Sequence, residues 1–353
     1  MIEIGPSQID LLERLSNTSG ISGAEGAVRD LVRAELQSLD VCIRQDALGN
    51  LLVTGLNEEP HLPRVMVAAH LDEVGFMLTA EDGEGLFRFA KVGGLRDKNL
   101  VGKAVSVGQA GHPGVIGCQP IHLTESKQRG KPVAWKELRI DVGPDLADEV
   151  EVGDYAVFRS RFFQQGQTLF GKALDDRFGV ATLIELIKHP PRGVELVGAF
   201  TVQEEIGLRG AKVAAHALEP DLAVALESTP ARDFPSFDPE EENVSYNARM
   251  GKGAAVYVSD GATISDTRLV DHVTATARKA GIPYQIRQPG GGGTDAAAIF
   301  RQRGGIPSIS LSVPARCLHT AYAVADLGDW QAAAALIYRA LDQLPADILD
   351  SRP

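Results

Sequence analysis

Residues 200–211, FTVQEEIGLRGA, place Glu204 and Glu205 side by side at the end of an apolar run. Adjacent glutamates ordinarily mark a solvated turn, but the preceding VELVGAFTV (194–202) is nearly continuous in apolar residues over the length of a strand. That is the pattern of a strand buried on both faces of a parallel sheet. Groups at the carboxyl end of such a strand stand where open α/β sheets bind their ligands. Other strand-like runs end the same way: His70 closes RVMVAAH, Glu227 closes DLAVALE, and His319 comes shortly after SISLSV. Asp175 and Asp176 open the helical pattern DDRFGVATLIELI. Each has an ordinary explanation when taken alone, a helix cap for an aspartate or a hydrogen-bonded core side chain for His70. Their common placement is harder to explain that way.

Two imidazoles and several carboxylates, with no cysteine among them, suit nitrogen and oxygen ligation of zinc, cobalt or manganese. Acidic groups converging on one cleft repel one another unless cations compensate them. Two ions bridged by one carboxylate and one water would restore the balance. Asp72, two residues after His70, has the spacing of a carboxylate that orients a ligand imidazole. One glutamate of the pair can then bind metal while its unligated neighbour handles protons.

Such a site needs a frame. Helical periodicity marks SQIDLLERLSNTSG and GAEGAVRDLVRAELQSL, and strands follow at NLLVTG and RVMVAAH. From about Glu73 to Gln165 the texture changes to short alternating runs, GFMLTA, LFRFAKV, KAVSVG, GVIGC, ELRIDVG and DYAVFRS, broken by Gly, Pro and Asp. No helix of ordinary length is expected there, and the spacing predicts a small β-barrel or sandwich. Alternating helices and strands then resume to the end of the chain. The expected fold is α/β, a three-layer sandwich around a mixed, mostly parallel sheet, with an inserted small β-barrel. Its catalytic part is discontinuous, residues 1–73 and 166–353, and the insert spans 74–165.

At 353 residues and 44% hydrophobic composition, the chain can bury a large core. No run approaches the roughly 18 apolar residues of a membrane span, and the first residues lack a signal-peptide pattern, so a cytoplasmic chain without a membrane partner is expected. The net charge of -12 argues against nucleic-acid binding. Cys42, Cys118 and Cys317 are widely separated and are expected to be reduced, buried small residues.

The motifs AAHLDEVGF, GKALDDRFG, TVQEEIGLRGA, GGGGTDAAAI and CLHTAYAVADL, in this order, resemble those of metallopeptidase family forty-two, the dinuclear aminopeptidases that include the tetrahedral (TET) and glutamyl aminopeptidases. The resemblance spans essentially the whole chain and implies a zinc-peptidase fold whose inserted β domain pairs subunits. By position it implies two divalent ions per subunit, zinc first and cobalt or manganese as alternatives. His70 and Glu227 resemble the ligands of one ion, Glu205 and His319 those of the other, and Asp175 the carboxylate bridging both. Glu204 resembles the general base and Asp72 the residue supporting His70. Many members carry Asp where this chain has Glu227.

The expected activity is removal of N-terminal residues from short peptides. The metals polarise the scissile carbonyl and acidify a bridging water, whose proton passes through Glu204 to the leaving amine. Two other readings belong to different classes. A glycoside hydrolase would use paired carboxylates without metal or histidine, and a non-catalytic scaffold would merely retain the fold. Gly290–Gly293 form no phosphate loop, because no Lys-Ser/Thr follows; by resemblance they line the substrate cleft. Asp176 is read as a cap, and Arg209 and Lys252 receive no role. Exposed edges of short strands in the insert predict a partner subunit, giving a dimer and, by resemblance, a dodecamer of six dimers.

Overall fold

The segment Arg64–His70 shows how the sheet is buried on both sides. Val65, Val67 and Ala69 pack into one apolar cluster, whereas the alternating Met66 and Ala68 pack into another. Successive strand side chains point to opposite faces, so a strand apolar at every position must have a layer on each side.

The computed structural model describes residues 2–124, 131, 133–235 and 247–350. It opens with helices α1 (Pro6–Asn17) and α2 (Gly26–Leu36) and strands β1 (Cys42–Gln45), β2 (Leu51–Leu56) and β3 (Arg64–His70). Six short strands follow: β4 (Gly75–Gly83), β5 (Leu86–Val92), β6 (Ala104–Val107), β7 (His112–Gly117), β8 (Arg139–Asp141) and β9 (Tyr155–Phe158). The chain continues through β10 (Phe163–Gln165), β11 (Thr168–Gly171), α3 (Leu174–Lys188), β12 (Glu195–Thr201), α4 (Arg209–Leu218), β13 (Leu222–Pro230), β14 (Ala254–Tyr257) and α5 (Thr267–Ala280). It ends with β15 (Tyr284–Arg287), α6 (Ala296–Ile299), β16 (Ser308–Arg316), β17 (Ala323–Asp326) and α7 (Leu327–Asp342).

Eleven strands form one mixed sheet in the order β1-β2-β12-β3-β13-β16-β17-β11-β10, with β14 pairing β16 and β15. Its centre, β12-β3-β13-β16, is parallel throughout, and the flanking pairs with β2 and β17 are antiparallel. One face carries α1, α2, α3, α5 and α7, and the other carries α4 and α6. This is the expected three-layer sandwich.

The six strands read from the insert are the six that form the barrel β4-β5-β8-β7-β6-β9, closed by pairing of β4 with β9. Phe76 packs edge-on against Phe89 and Phe158, at 5.1 and 5.4 Å between ring centroids. Among the described residues of the insert the only helical pieces are short 3₁₀ turns; residues 125–130 and 132 lie outside the described set. Closure removes the strand edges that the sequence reading expected a partner to cover. The barrel strands end at Phe158, and β10 (Phe163–Gln165) pairs in the large sheet through β11.

The cysteines differ from expectation: Cys42, Cys118 and Cys317 are all free and exposed. Cys42 lies on the sheet's edge strand β1, and Cys317 lies in the turn beyond β16. Among the described residues no helix is long and apolar enough to cross a membrane.

Candidate metal centre

Parallel pairing of four strands brings their carboxyl ends to one edge of the sheet, and the singled-out residues gather there. His70 is the last residue of β3, paired in register with Thr201 of β12. Glu204 and Glu205 follow β12 through Gln203, whose left-handed backbone (φ 57°) turns the chain. Glu227 lies within β13 opposite Ser312 of β16, and His319 follows β16 in a turn with its own left-handed backbone, φ 56°. Asp175 lies at the entrance to α3, where Asp175 and Asp176 have non-helical backbone angles.

The side chains form two groups that share one member. His70, Asp175 and Glu227 make the first; Asp175, Glu205 and His319 make the second; within each, the donor atoms lie within 4.8 Å of one another. His70 Nε2 stands 3.6 Å from Asp175 Oδ1 and 3.7 Å from Glu227 Oε2. His319 Nε2 stands 3.3 Å from Asp175 Oδ2 and 3.1 Å from Glu205 Oε1. Donors about 2.1 Å from one tetrahedral ion lie about 3.4 Å apart, so these spacings suit a common ion at least as well as direct hydrogen bonds. Both imidazoles also turn Nδ1 to a backbone carbonyl, His70 to Asp72 at 3.1 Å and His319 to Gly94 at 3.2 Å. A proton on Nδ1 would bond that carbonyl and leave Nε2 as a ligand atom. The residues therefore fit two divalent cations.

A family model described as M42 glutamyl aminopeptidase matches residues 49–336. This chain belongs to the M42 family. A lysyl aminopeptidase of Pyrococcus furiosus is 30% identical over 332 residues, covering 91% of this chain and 92% of its own. The TET aminopeptidase structure from the marine sediment archaeon Thaumarchaeota archaeon SCGC AB-539-E09 superposes with a TM-score of 0.90 at 33% identity, over 98% of each chain. A second solved structure, the Pyrococcus horikoshii TET1 peptidase, described as assembling into a tetrahedron or a large octahedral shell, gives 0.82 at 35% identity over 96% of this chain and all (100%) of that one. Membership makes the chain a peptide hydrolase of the aminopeptidase kind.

In this M42 chain Asp72 does more than accompany His70. Fully buried, it accepts hydrogen bonds from Ser22 Oγ (2.6 Å) and from the backbone N–H groups of Glu204 (2.9 Å) and Glu205 (3.1 Å). One carboxylate thus ties the end of β3 to the turn after β12. Asp176 caps its helix through Gly179 N (3.0 Å) and also accepts the His70 N–H (3.3 Å). Glu204 belongs to neither donor group, although its backbone is fixed beside them.

Burial dominates the electrostatics of this M42 site. It raises Glu204 and Glu227 well above the usual carboxylate range; the positive field of His70 opposes the rise, and neighbouring carboxylates add to it. Burial alone would lower the histidines, but their carboxylate partners prevail: His70 is carried well above its ordinary value and His319 to about 11. Asp175 is opposed by burial yet held below the usual range by the two imidazoles. Four carboxylates, Asp175, Glu204, Glu205 and Glu227, would carry four negative charges, which two divalent cations would balance.

Sequence reasoning missed several neighbours. Asp295 is buried, accepts from Thr201 Oγ1, and donates its own N–H to Glu227 Oε1 at 3.1 Å. It lies within the motif GGGGTDAAAI, whose glycines were read as lining the cleft while Asp295 itself was given no role. Buried Lys172 and Glu73 form an ion pair beneath the site, and Arg177 bonds the Leu71 carbonyl. Nothing in residue spacing announces those contacts. A cleft of about 1090 Å³ opens at the donor groups, and its lining also includes Gly291–Gly293, Tyr257, Arg287, Arg96, Lys98 and Lys103.

Proposed function

We propose that the chain is a dinuclear metal-dependent aminopeptidase acting on short peptides. The observation that carries the reading is Asp175, whose two oxygens face two separate nitrogen-and-oxygen donor groups beside a glutamate that joins neither. His70, Asp175 and Glu227 would hold one ion, and Asp175, Glu205 and His319 the other. Bound there, the ions supply Lewis acidity to the scissile carbonyl and lower the pKa of the attacking water. Glu204, placed by Asp72 and left unligated, accepts the water's proton and delivers it to the departing amine. The surrounding carboxylates attract the free α-ammonium and so favour cleavage at the N-terminus. The donor set suits zinc and accommodates cobalt or manganese.

Exhaustive chelation of the purified protein tests this on aminoacyl p-nitroanilides. Activity should vanish and return with zinc, cobalt or manganese, at two ions per chain by elemental analysis. Glu204→Gln should keep both ions while kcat falls about 10²- to 10⁴-fold. Activity surviving chelation would overturn the metal dependence.

The same reading includes a homo-oligomer built from dimers. It is supported by the assembling TET1 relative and by Val101, Val115 and Val152, apolar residues exposed on the barrel. Light scattering on dilute protein decides it, a monomer being the refuting result.

A further inference from the structure

Glu25 stands immediately before α2, and yet its carboxylate does not cap that helix. Only 4% exposed, it accepts hydrogen bonds from the backbone N–H groups of Gly23 (2.7 Å) and Gln203 (3.2 Å). Gln203 is 178 residues away in sequence and directly precedes Glu204. Asp72 takes the next two amides, those of Glu204 and Glu205. Three consecutive N–H groups of one turn are thus held by two buried carboxylates from different parts of the chain. The segments that carry these carboxylates are themselves joined. Ser22, in the same loop as Glu25, donates its hydroxyl to Asp72 (2.6 Å). The Gly20 N–H donates to the Glu73 carboxylate (3.0 Å), and the Glu73 N–H donates to the Gly20 carbonyl (2.9 Å).

Gln203 has a left-handed backbone (φ 57°), a conformation disfavoured for a residue with a Cβ, so the turn keeps its shape through bonds made from outside it. Burial raises the Glu25 carboxyl above its ordinary value, the N–H bonds oppose the rise, and the Asp72 charge adds to it. Where the carboxylate is ionised, its bond to the Gln203 amide is charge-assisted and stronger than a bond between neutral groups. The side chain of Glu204 belongs to neither donor group, so its aim depends on the backbone of this turn. Glu25 itself lies outside both the cleft lining and the donor groups.

We propose that Glu25 is a positioning residue of the reaction, and that by fixing the Gln203 amide it aims the Glu204 carboxylate for proton transfer. The inference rests on the aminopeptidase reading and adds to it a residue from the loop between α1 and α2. A displacement of about 1 Å at a reacting group can cost about 10²-fold in rate, so a single amide bond in this turn is enough to matter.

The test uses the metal-loaded full-length protein as wild type, Glu25→Ala and Glu25→Gln, and each of these combined with Glu204→Gln. Glu25→Ala should retain two ions per chain and an unchanged KM on aminoacyl p-nitroanilides while kcat falls roughly 10- to 100-fold. Glu25→Gln keeps an acceptor oxygen and should recover much of the loss. In the Glu204→Gln background both substitutions should leave the residual rate nearly unchanged, because the group they position no longer takes the proton. An equal fold-loss in both backgrounds would assign Glu25 to general stability and overturn the proposal, as would loss of either ion or an unchanged kcat in Glu25→Ala. If Glu25→Ala does not fold, Glu25→Gln decides by the same comparison: a several-fold loss confined to the chain that retains Glu204 supports the proposal, and wild-type turnover overturns it. Failure of the underlying reading is distinguishable, since a wild type inert on every anilide and dipeptide sinks the aminopeptidase. Amide hydrogen exchange would still decide the clamp: faster exchange at Gln203, Glu204 and Glu205 in Glu25→Ala, with the central sheet still protected, supports it, and exchange equal to wild type overturns it.

Discussion

The two donor groups around Asp175 are built from different materials. His70 and Glu227 sit on central strands and are 1% and 5% exposed, so sheet hydrogen bonds and two apolar layers fix them. Glu205 and His319 sit in turns; His319 is 32% exposed, has a left-handed backbone, and leans on Gly94, a residue of the loop that leaves barrel strand β5. Rigid elements hold ligands more exactly than loops do. The deep group should accordingly keep its ion longer than the shallow one, and the barrel should influence only the shallow one.

The largest effect expected from this contrast comes from removing what the groups share. Asp175→Ala should abolish both sites, reducing bound metal from two ions to none and activity to background. Retention of one tightly held ion would show that the deep group stands without its bridge. A smaller effect separates the groups. A Cβ on Gly94 would lie 3.1 Å from His319 Nδ1, so Gly94→Ala should weaken one ion about 10- to 100-fold, the usual cost of disturbing a ligand's support. Chelator competition should then show one weakened phase and one unchanged; equal weakening of both would erase the distinction.

The smallest effect concerns β16, the strand that precedes the turn of His319. Arg316, at the end of β16, pairs with Asp233 at 2.7 Å. Asp233 is opposed by burial, but its bond to Arg316 carries the carboxyl below the ordinary value. A depressed folded pKa means stability that is present above the unfolded value, about 3.9, and is lost as pH falls through the folded one. Asp233→Asn should therefore cost about 0.5 kcal/mol at pH 7, discounted for the partly exposed arginine. Thermal melts should show the gap between variant and wild type closing below pH 4; a constant gap would assign it to the Met250 N–H bond that Asp233 also accepts.

What the sequence disclosed follows the same division. The barrel strands were legible because each is a local alternation bounded by turn residues, and the deep donor residues because a buried parallel strand is apolar at every position until it ends in His70. The grip of Asp72 on Glu204 and Glu205 was not legible, since it joins backbone groups 132 and 133 residues away. Nor was the Gly94 support of His319. Asp295 and Glu25 were passed over for another reason: an aspartate and a glutamate at helix starts both have ordinary explanations that only packing removes. Exposure of Cys317 was missed because residue type predicts average burial and not the turn in which a residue falls.

The distances along the chain have a consequence for the newly made protein. Asp175 meets His319 across 144 residues, and Gly94 meets His319 across 225. Contacts of such separation carry the largest loop-closure entropy and form only after local structure has reduced the span. During synthesis His319 emerges after the barrel and nearly all of the sheet. The chain should thus fold its barrel and most of its sheet with the second donor group incomplete, and acquire hydrolytic capacity only once His319 has reached Asp175 and Gly94.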